Sequence, residues 1–137
     1  MLRSFIVIAL LAAACGGQSA FELEVGDCFD DPSNFEEVET VPATECSQPH
    51  DNEVYGNYDI AEATWPGQSV VEDWADETCY EAFETYVGTS YQTSSLDFGW
   101  LIPTQTSWDR LDDRTVTCFL YDLDLAKLSG SMRNTSV

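Results

Sequence analysis

Val70 to Val87 reads VVEDWADETCYEAFETYV, and its spacing decides the fold. Val70, Val71, Trp74, Ala75, Cys79, Ala82, Phe83, Tyr86 and Val87 recur at steps of three and four. That period lays one broad apolar stripe along a helix, which must be buried against something. Ser69 and Glu72 have the spacing of a capping box at its start, and Pro66-Gly67 stops any helix before it. Gly88 stands where a left-handed C-terminal cap belongs. Cys79 lies on the stripe, so its sulfur faces whatever the helix packs on. Thr115 to Leu123 (TVTCFLYDL) is strongly β-prone. There Cys118 shares a strand face with Val116 and Leu120, and a Cys79–Cys118 bond would staple the helix to a sheet.

Further strand signals flank this pair. Phe21 to Phe29 (FELEVGDCF) alternates apolar with acidic residues, placing Phe21, Leu23 and Val25 on one face until Gly26-Asp27 interrupts. Asp30 to Asn34 reads as a turn, and Val38 to Val41 as a short strand ending at Pro42. Glu53 to Ile60 (EVYGNYDI) puts Val54, Gly56, Tyr58 and Ile60 on one face. Leu96 to Pro103 is an aromatic-rich strand running into a loop, and Trp108 and Arg110 lead to a turn at Asp112-Asp113. The expected fold is α+β: a small antiparallel sheet with one long helix packed across one face.

The first residues carry an export signal. Arg3 gives a short positive start, and Phe5 to Ala14 (FIVIALLAAA) is an unbroken apolar run. The run is about 10 residues long, half of the roughly 20 needed to span a bilayer as a helix. Leu11-Ala12-Ala13-Ala14-Cys15 resembles the bacterial lipobox, although Ala12 stands where leucine is usual. The expectation is a signal peptide over 1–14, a diacylglyceryl-modified Cys15, and a tether over 15–22. Two acyl chains, at roughly 0.8 kcal/mol per buried methylene, are enough for stable anchoring. The protein would then sit on the extracytoplasmic face of the cell membrane.

Four cysteines follow the signal: Cys28, Cys46, Cys79 and Cys118. An even number outside the cytoplasm implies two disulfides, with three possible connectivities. The expected pairs are Cys28–Cys46 and Cys79–Cys118. A four-cysteine zinc site would call for CxxC spacing, which the chain lacks.

With 25 acidic and 5 basic residues the formal charge is −20. Such a chain repels nucleic acid phosphates and an anionic membrane surface alike, so the lipid must anchor it unaided. The acids are spread along the chain and read as a solvated surface, with life in high salt a further expectation.

His50 is the only histidine, in CSQPHDNE over residues 46–53. A His-Asp pair near a Glu invites a metal or acid–base reading. Metal sites usually need three or more converging ligands, and strand alternation would set Asp51 and Glu53 opposite to His50. No G-x-S-x-G elbow marks a nucleophilic serine. Among so many acids, no carboxylate pair is distinguished for glycoside cleavage. His50 and Asp51 are therefore expected to shape the turn after Pro49, and no catalytic residue, metal or cofactor is assigned. Trp74 belongs to the helix stripe, while Trp65 and Trp108 are the tryptophans expected nearest the surface.

Several separated pieces resemble a known family. Val25-Gly26-Asp27-Cys28-Phe29 resembles the opening GDCF of the septum-formation domain of exported actinobacterial proteins. Cys46 to Val54 is similar to its C-x-x-PHD-x-EV block, so that Gly26, Asp27, Cys28, Pro49, His50, Asp51 and Glu53 carry the motif. Cys79, Trp108 and Cys118 follow in the family's order, and Leu128 to Ser131 is similar to its short GS tail. The resemblance spans residues 23–132, leaving 133–137 as a tail. It implies a secreted or membrane-attached domain with two disulfides and supplies no catalytic residue. Many relatives carry a transmembrane helix before the domain, where attachment here is expected through Cys15. The expected function is a non-enzymatic envelope module contacting an envelope or division protein. The rival is a small envelope hydrolase or metal-dependent enzyme using His50 and nearby carboxylates.

Overall fold

A computed structural model describes residues 17–36 and 38–137. Cys15 and the expected signal peptide over 1–14 lie outside the described residues. In chain order the elements are β1 (Gln18–Ser19), β2 (Cys28–Phe29), β3 (Thr40–Val41), β4 (Ala43–Thr44), β5 (Asn52–Asp59), α1 (Gln68–Val87), β6 (Leu96–Leu101), α2 (Gln105–Leu111) and β7 (Thr115–Asp122). Five strands form an antiparallel sheet in the order β4-β2-β5-β7-β6, and β1 pairs with β3 beside it.

The apolar stripe behaves as its period requires. Val71, Ala75, Cys79, Phe83, Tyr86 and Val87 are buried on α1, and Trp74 and Ala82 are half-buried beside them. Val70 is exposed and falls outside the stripe. The helix starts at Gln68, before the expected capping box, so Ser69 lies inside it. Gly67 occupies the N-cap at φ 103°, and no side chain caps the end. Gln68 bonds Glu72 instead, at 2.8 Å. At the other end Gly88 adopts φ 92° and donates its N–H to Glu84, the cap its position foretold.

Both disulfides form as expected, Cys79–Cys118 joining α1 to β7 and Cys28–Cys46 joining β2 to the segment before His50. The Cys79–Cys118 link sits in a core with Tyr55, Val71, Phe83, Leu96, Val116 and Leu120. A second apolar layer covers the other face of the sheet, where Leu23, Phe29, Val41, Val54 and Phe119 pack together. The helix covers one face of the sheet as expected, and the N-terminal segment covers the other.

Three sequence expectations fail for identifiable reasons. Val54, Gly56, Tyr58 and Ile60 do not share one face, because a β-bulge between Val54 and Gly56 shifts the register against β7. Val54 goes to the far layer and Ile60 to the helix side. Phe21, Leu23 and Val25 do not form a strand face either. A turn in which Asp27 donates its N–H to Glu24 O (3.0 Å) bends the chain with Gly26 at φ 98°, leaving Phe21 and Val25 exposed. Finally, a short helix, α2, replaces the expected loop. Thr104 Oγ1 accepts the Ser107 N–H at 3.0 Å while Ser107 Oγ accepts the Thr104 N–H at 2.9 Å, a reciprocal box. This helix turns Trp108 inward to 2 % exposure, so it is a core residue and no surface tryptophan. Trp65 meets it edge-on, and the Arg114 guanidinium lies 3.8 Å over its ring.

One edge of the sheet is β6. Leu123 donates to Ser95 O, so ladder alternation turns the N–H groups of Leu96, Phe98 and Trp100 outward. The first two are already bonded: Leu96 N–H to Ser94 Oγ at 3.0 Å, and Phe98 N–H to Asp97 Oδ1 at 2.8 Å. Tyr91 and Tyr121 hydroxyls also donate to the Asp97 carboxylate, and the Tyr91 hydroxyl is pushed up to about 12 chiefly by that bond.

Replacing Cys79 and Cys118 together by alanine should cost about 4 kcal/mol of unfolding free energy through loss of the longer loop constraint, against about 3 for the Cys28 and Cys46 pair. Denaturant unfolding of the two double variants, read by tryptophan fluorescence, checks both the loss and its order.

Candidate functional site

The Pro49 to Val54 block lies where the chain enters β5, and the side chains of Asp51, Asn52 and Glu53 tie the sheet to other parts of the molecule. Backbone comes first. His50 and Leu128 exchange two hydrogen bonds, His50 N–H to Leu128 O at 3.0 Å and Leu128 N–H to His50 O at 2.8 Å. Gly130 N–H adds a bond to Cys46 O at 2.7 Å. The C-terminal segment is thereby laid along the block.

Glu53 is fully buried. Its carboxylate accepts the Tyr86 hydroxyl at 2.6 Å, the Ser131 hydroxyl at 2.5 Å and the Met132 N–H at 2.7 Å. A buried carboxylate is tolerable only when donors replace water, and here three do. Burial raises the Tyr86 pKa, and its bond to Glu53 raises it further. Arg133 stands 4.9 Å over the Tyr86 ring, placing a positive charge beside this network.

Asp51 turns the other way. It accepts the Asp31 N–H at 2.9 Å and pairs with Lys127 at 2.9 Å, and Lys127 also reaches Asp30 at 2.7 Å. Burial pushes the Asp51 carboxyl up, but the Asp31 amide and the Lys127 ammonium together hold it below the usual carboxylate value. The expectation that Asp51 and Glu53 share a side away from His50 is overturned: regular strand pairing starts only at Asn52, so alternation does not run back through Asp51.

His50 is fully buried. Its Nδ1 lies 2.7 Å from Gln48 O and donates to it, the local bond expected for a residue shaping the turn after Pro49. In the neutral ring this leaves Nε2 as the acceptor, and it has no partner among the described residues. Ligand atoms of Cys28, His50 and Glu53 lie within 4.8 Å of one another. The donor set nevertheless suits a metal poorly. The Cys28 sulfur is spent in a disulfide and offers no thiolate, and the Glu53 oxygens already accept three hydrogen bonds.

The opening motif joins the same construction. Gly26 N–H bonds Val54 O and Val54 N–H bonds Asp27 O, each at 2.8 Å, pinning this turn to β5. The Asp27 carboxylate accepts Glu24 N–H at 2.9 Å and Gln18 Nε2 at 2.8 Å. Pro49 is exposed at the entry. The motif positions are thus brought together around one strand.

A family model described as septum formation matches residues 12–118. The chain belongs to the septum-formation family. No curated protein and no solved structure matches it. Within this septum-formation domain, the motif residues Gly26, Asp27, Cys28, His50, Asp51 and Glu53 form a clasp that holds the N-terminal turn, α1 and the C-terminal segment to β5. Sequence reasoning missed the other half of the clasp: Tyr86, Lys127, Ser131 and Met132. One signal was present, since Lys127 is the only lysine in a chain of 25 acids.

Glu53→Ala should strand the Tyr86 hydroxyl, the Ser131 hydroxyl and the Met132 amide, costing about 3 kcal/mol or more. Amide hydrogen exchange at Leu128 and Met132 should accelerate more than exchange in β7, whereas uniform acceleration would mean that no separate clasp exists. The Asp51 pair contributes stability that is complete above the ordinary carboxylate pKa and lost as pH falls through the lowered folded-state value. Acid unfolding of Asp51→Asn should accordingly lack that part of the decline seen in the native protein.

Proposed function

We propose that the chain is a non-enzymatic, lipid-anchored module on the extracytoplasmic face of the membrane, serving septum formation through contact with envelope or division proteins. The observation that carries this reading is the commitment of the motif side chains. Glu53 accepts three donors, Asp51 is paired, and His50 is buried with Nδ1 bonded in its own turn, so these side chains serve mainly to hold the domain together. Family membership supplies the link to septum formation. Two disulfides favour an oxidising compartment outside the cytoplasm. No described helix is long and apolar enough to cross a membrane. The lipobox-like run ending at Cys15 is what points to attachment through lipid. The hydrolase or metal-enzyme reading calls for His50 exposed in a cleft with convergent carboxylates, and a buried His50 gives it no support.

Cys15→Ala should move the protein from the membrane fraction to the soluble extracytoplasmic fraction and abolish the division-protein crosslinks recovered with the native form. Intact mass of the membrane-extracted native protein should show the diacylglyceryl addition. An unmodified Cys15 overturns the anchor, and a hydrolytic activity lost in a folded His50→Gln variant overturns the non-enzymatic reading.

A further inference from the structure

On the sheet face away from α1, beside β6 and β7, an open groove of about 500 Å³ is unused by the clasp except at Asp51. Phe119 and Tyr121 line it, with Phe35 stacked over Phe119 at a centroid distance of 6.4 Å. Gly99 keeps it open: a Cβ there would stand 2.7 Å from the Phe119 ring.

Two residues at its margin are difficult to explain by folding. Phe35 is 51 % exposed and Leu125 is 79 % exposed. Leu125 also sits at φ 60°, a left-handed conformation that costs a non-glycine residue about 1 kcal/mol. The turn holding it there is firmly built. Leu125 N–H bonds Asp122 O at 2.9 Å, and the Asp122 carboxylate accepts the N–H groups of Asp124 and Ala126. An exposed leucine held in this conformation beside an aromatic groove offers apolar surface that a bound partner would cover.

Charge selects the partner. Asp31, Asp51 and Asp122 line the groove; Lys127 bridges Asp51 and Asp30, and the Asp31 carboxylate accepts one neutral donor, Asn52 Nδ2, at 2.8 Å. Asp31 and Asp122 have no cationic partner among the described residues. At a net charge of −20, a second copy of this chain, a nucleic acid and an anionic lipid surface are all repelled. Strand addition along the first half of β6 is also disfavoured, since the outward N–H groups of Leu96 and Phe98 are internally bonded. The groove's main recognition groups are its side chains.

An aromatic ring beside a carboxylate suits a guanidinium, which stacks on the ring while its N–H fork meets the acid. The chain already builds that pairing once, with Arg114 3.8 Å over Trp108 and 3.0 Å from the Asp112 carboxylate. We infer that the groove receives an arginine-bearing segment of a partner polypeptide, guanidinium against Tyr121 and the Asp31 and Asp122 carboxylates, apolar neighbours against Phe35 and Leu125. This rests on the reading of the chain as a binding module.

The test titrates the full, disulfide-bonded chain into fluorescein-labelled peptides of alternating leucine and arginine, leucine and lysine, or leucine and aspartate. The arginine peptide should bind severalfold tighter than the lysine peptide, weaken with salt, and leave the aspartate peptide unbound. Phe35→Ser and Leu125→Asn alter exposed side chains, and each should weaken arginine-peptide binding about tenfold with the melting temperature retained. The pair Glu77→Gln and Glu81→Gln, on the exposed face of α1, should leave it unchanged. Binding that ignores Phe35→Ser and Leu125→Asn, or falls as much with the α1 pair, overturns the groove as the site. Septal recruitment that survives both groove variants overturns the groove's role while leaving the module reading intact. A hydrolytic activity depending on His50, found alongside groove-specific arginine binding, would remove the module reading and leave the site standing.

Discussion

A carboxylate without water must be surrounded by donors, and Glu53 obtains them from two other parts of the chain. Tyr86 belongs to the long helix, while Ser131 and Met132 belong to the C-terminal segment. Satisfying this one group therefore fixes the helix end, the central strand and the returning chain relative to one another. An apolar residue at position 53 could fill the space, but it would not specify which three pieces meet there.

The remaining devices divide the work by distance along the chain. Cys79–Cys118 locks the helix onto the sheet across 39 positions, and Cys28–Cys46 closes the shorter loop leading to His50. Burial supplies most of the driving force on both faces of the sheet, through Val71, Phe83 and Leu120 on one side and Phe29, Val54 and Phe119 on the other. Polar links such as Asp51 with Lys127 then set how the exposed return segment lies.

Much of this was legible where a regular period ran long enough to be read. The twenty-residue α1 announced its stripe, its Gly88 cap and the inward direction of Cys79, and the β-prone β7 gave the facing cysteine. Short or irregular pieces were not legible. The bulge after Val54 breaks the two-residue period without a distinctive residue type. The helix carrying Trp108 has only seven residues, and the capping box begun by Thr104 is closed by Ser107 where glutamate is the usual signal. The candidate site was half legible: the Pro-His-Asp block and Glu53 stood out as a motif, but its partners lie 33 to 79 positions away and depend on the folded path.

The bonded edge of β6 has a consequence for molecules at high concentration. Crowding multiplies encounters, and a bare strand edge would turn those encounters into growing ribbons. Ser94 and Asp97 occupy two of the three outward amide positions on β6 from which such growth would start. Over that stretch the strand carries its own terminator, and ribbon growth is blunted where the edge is longest.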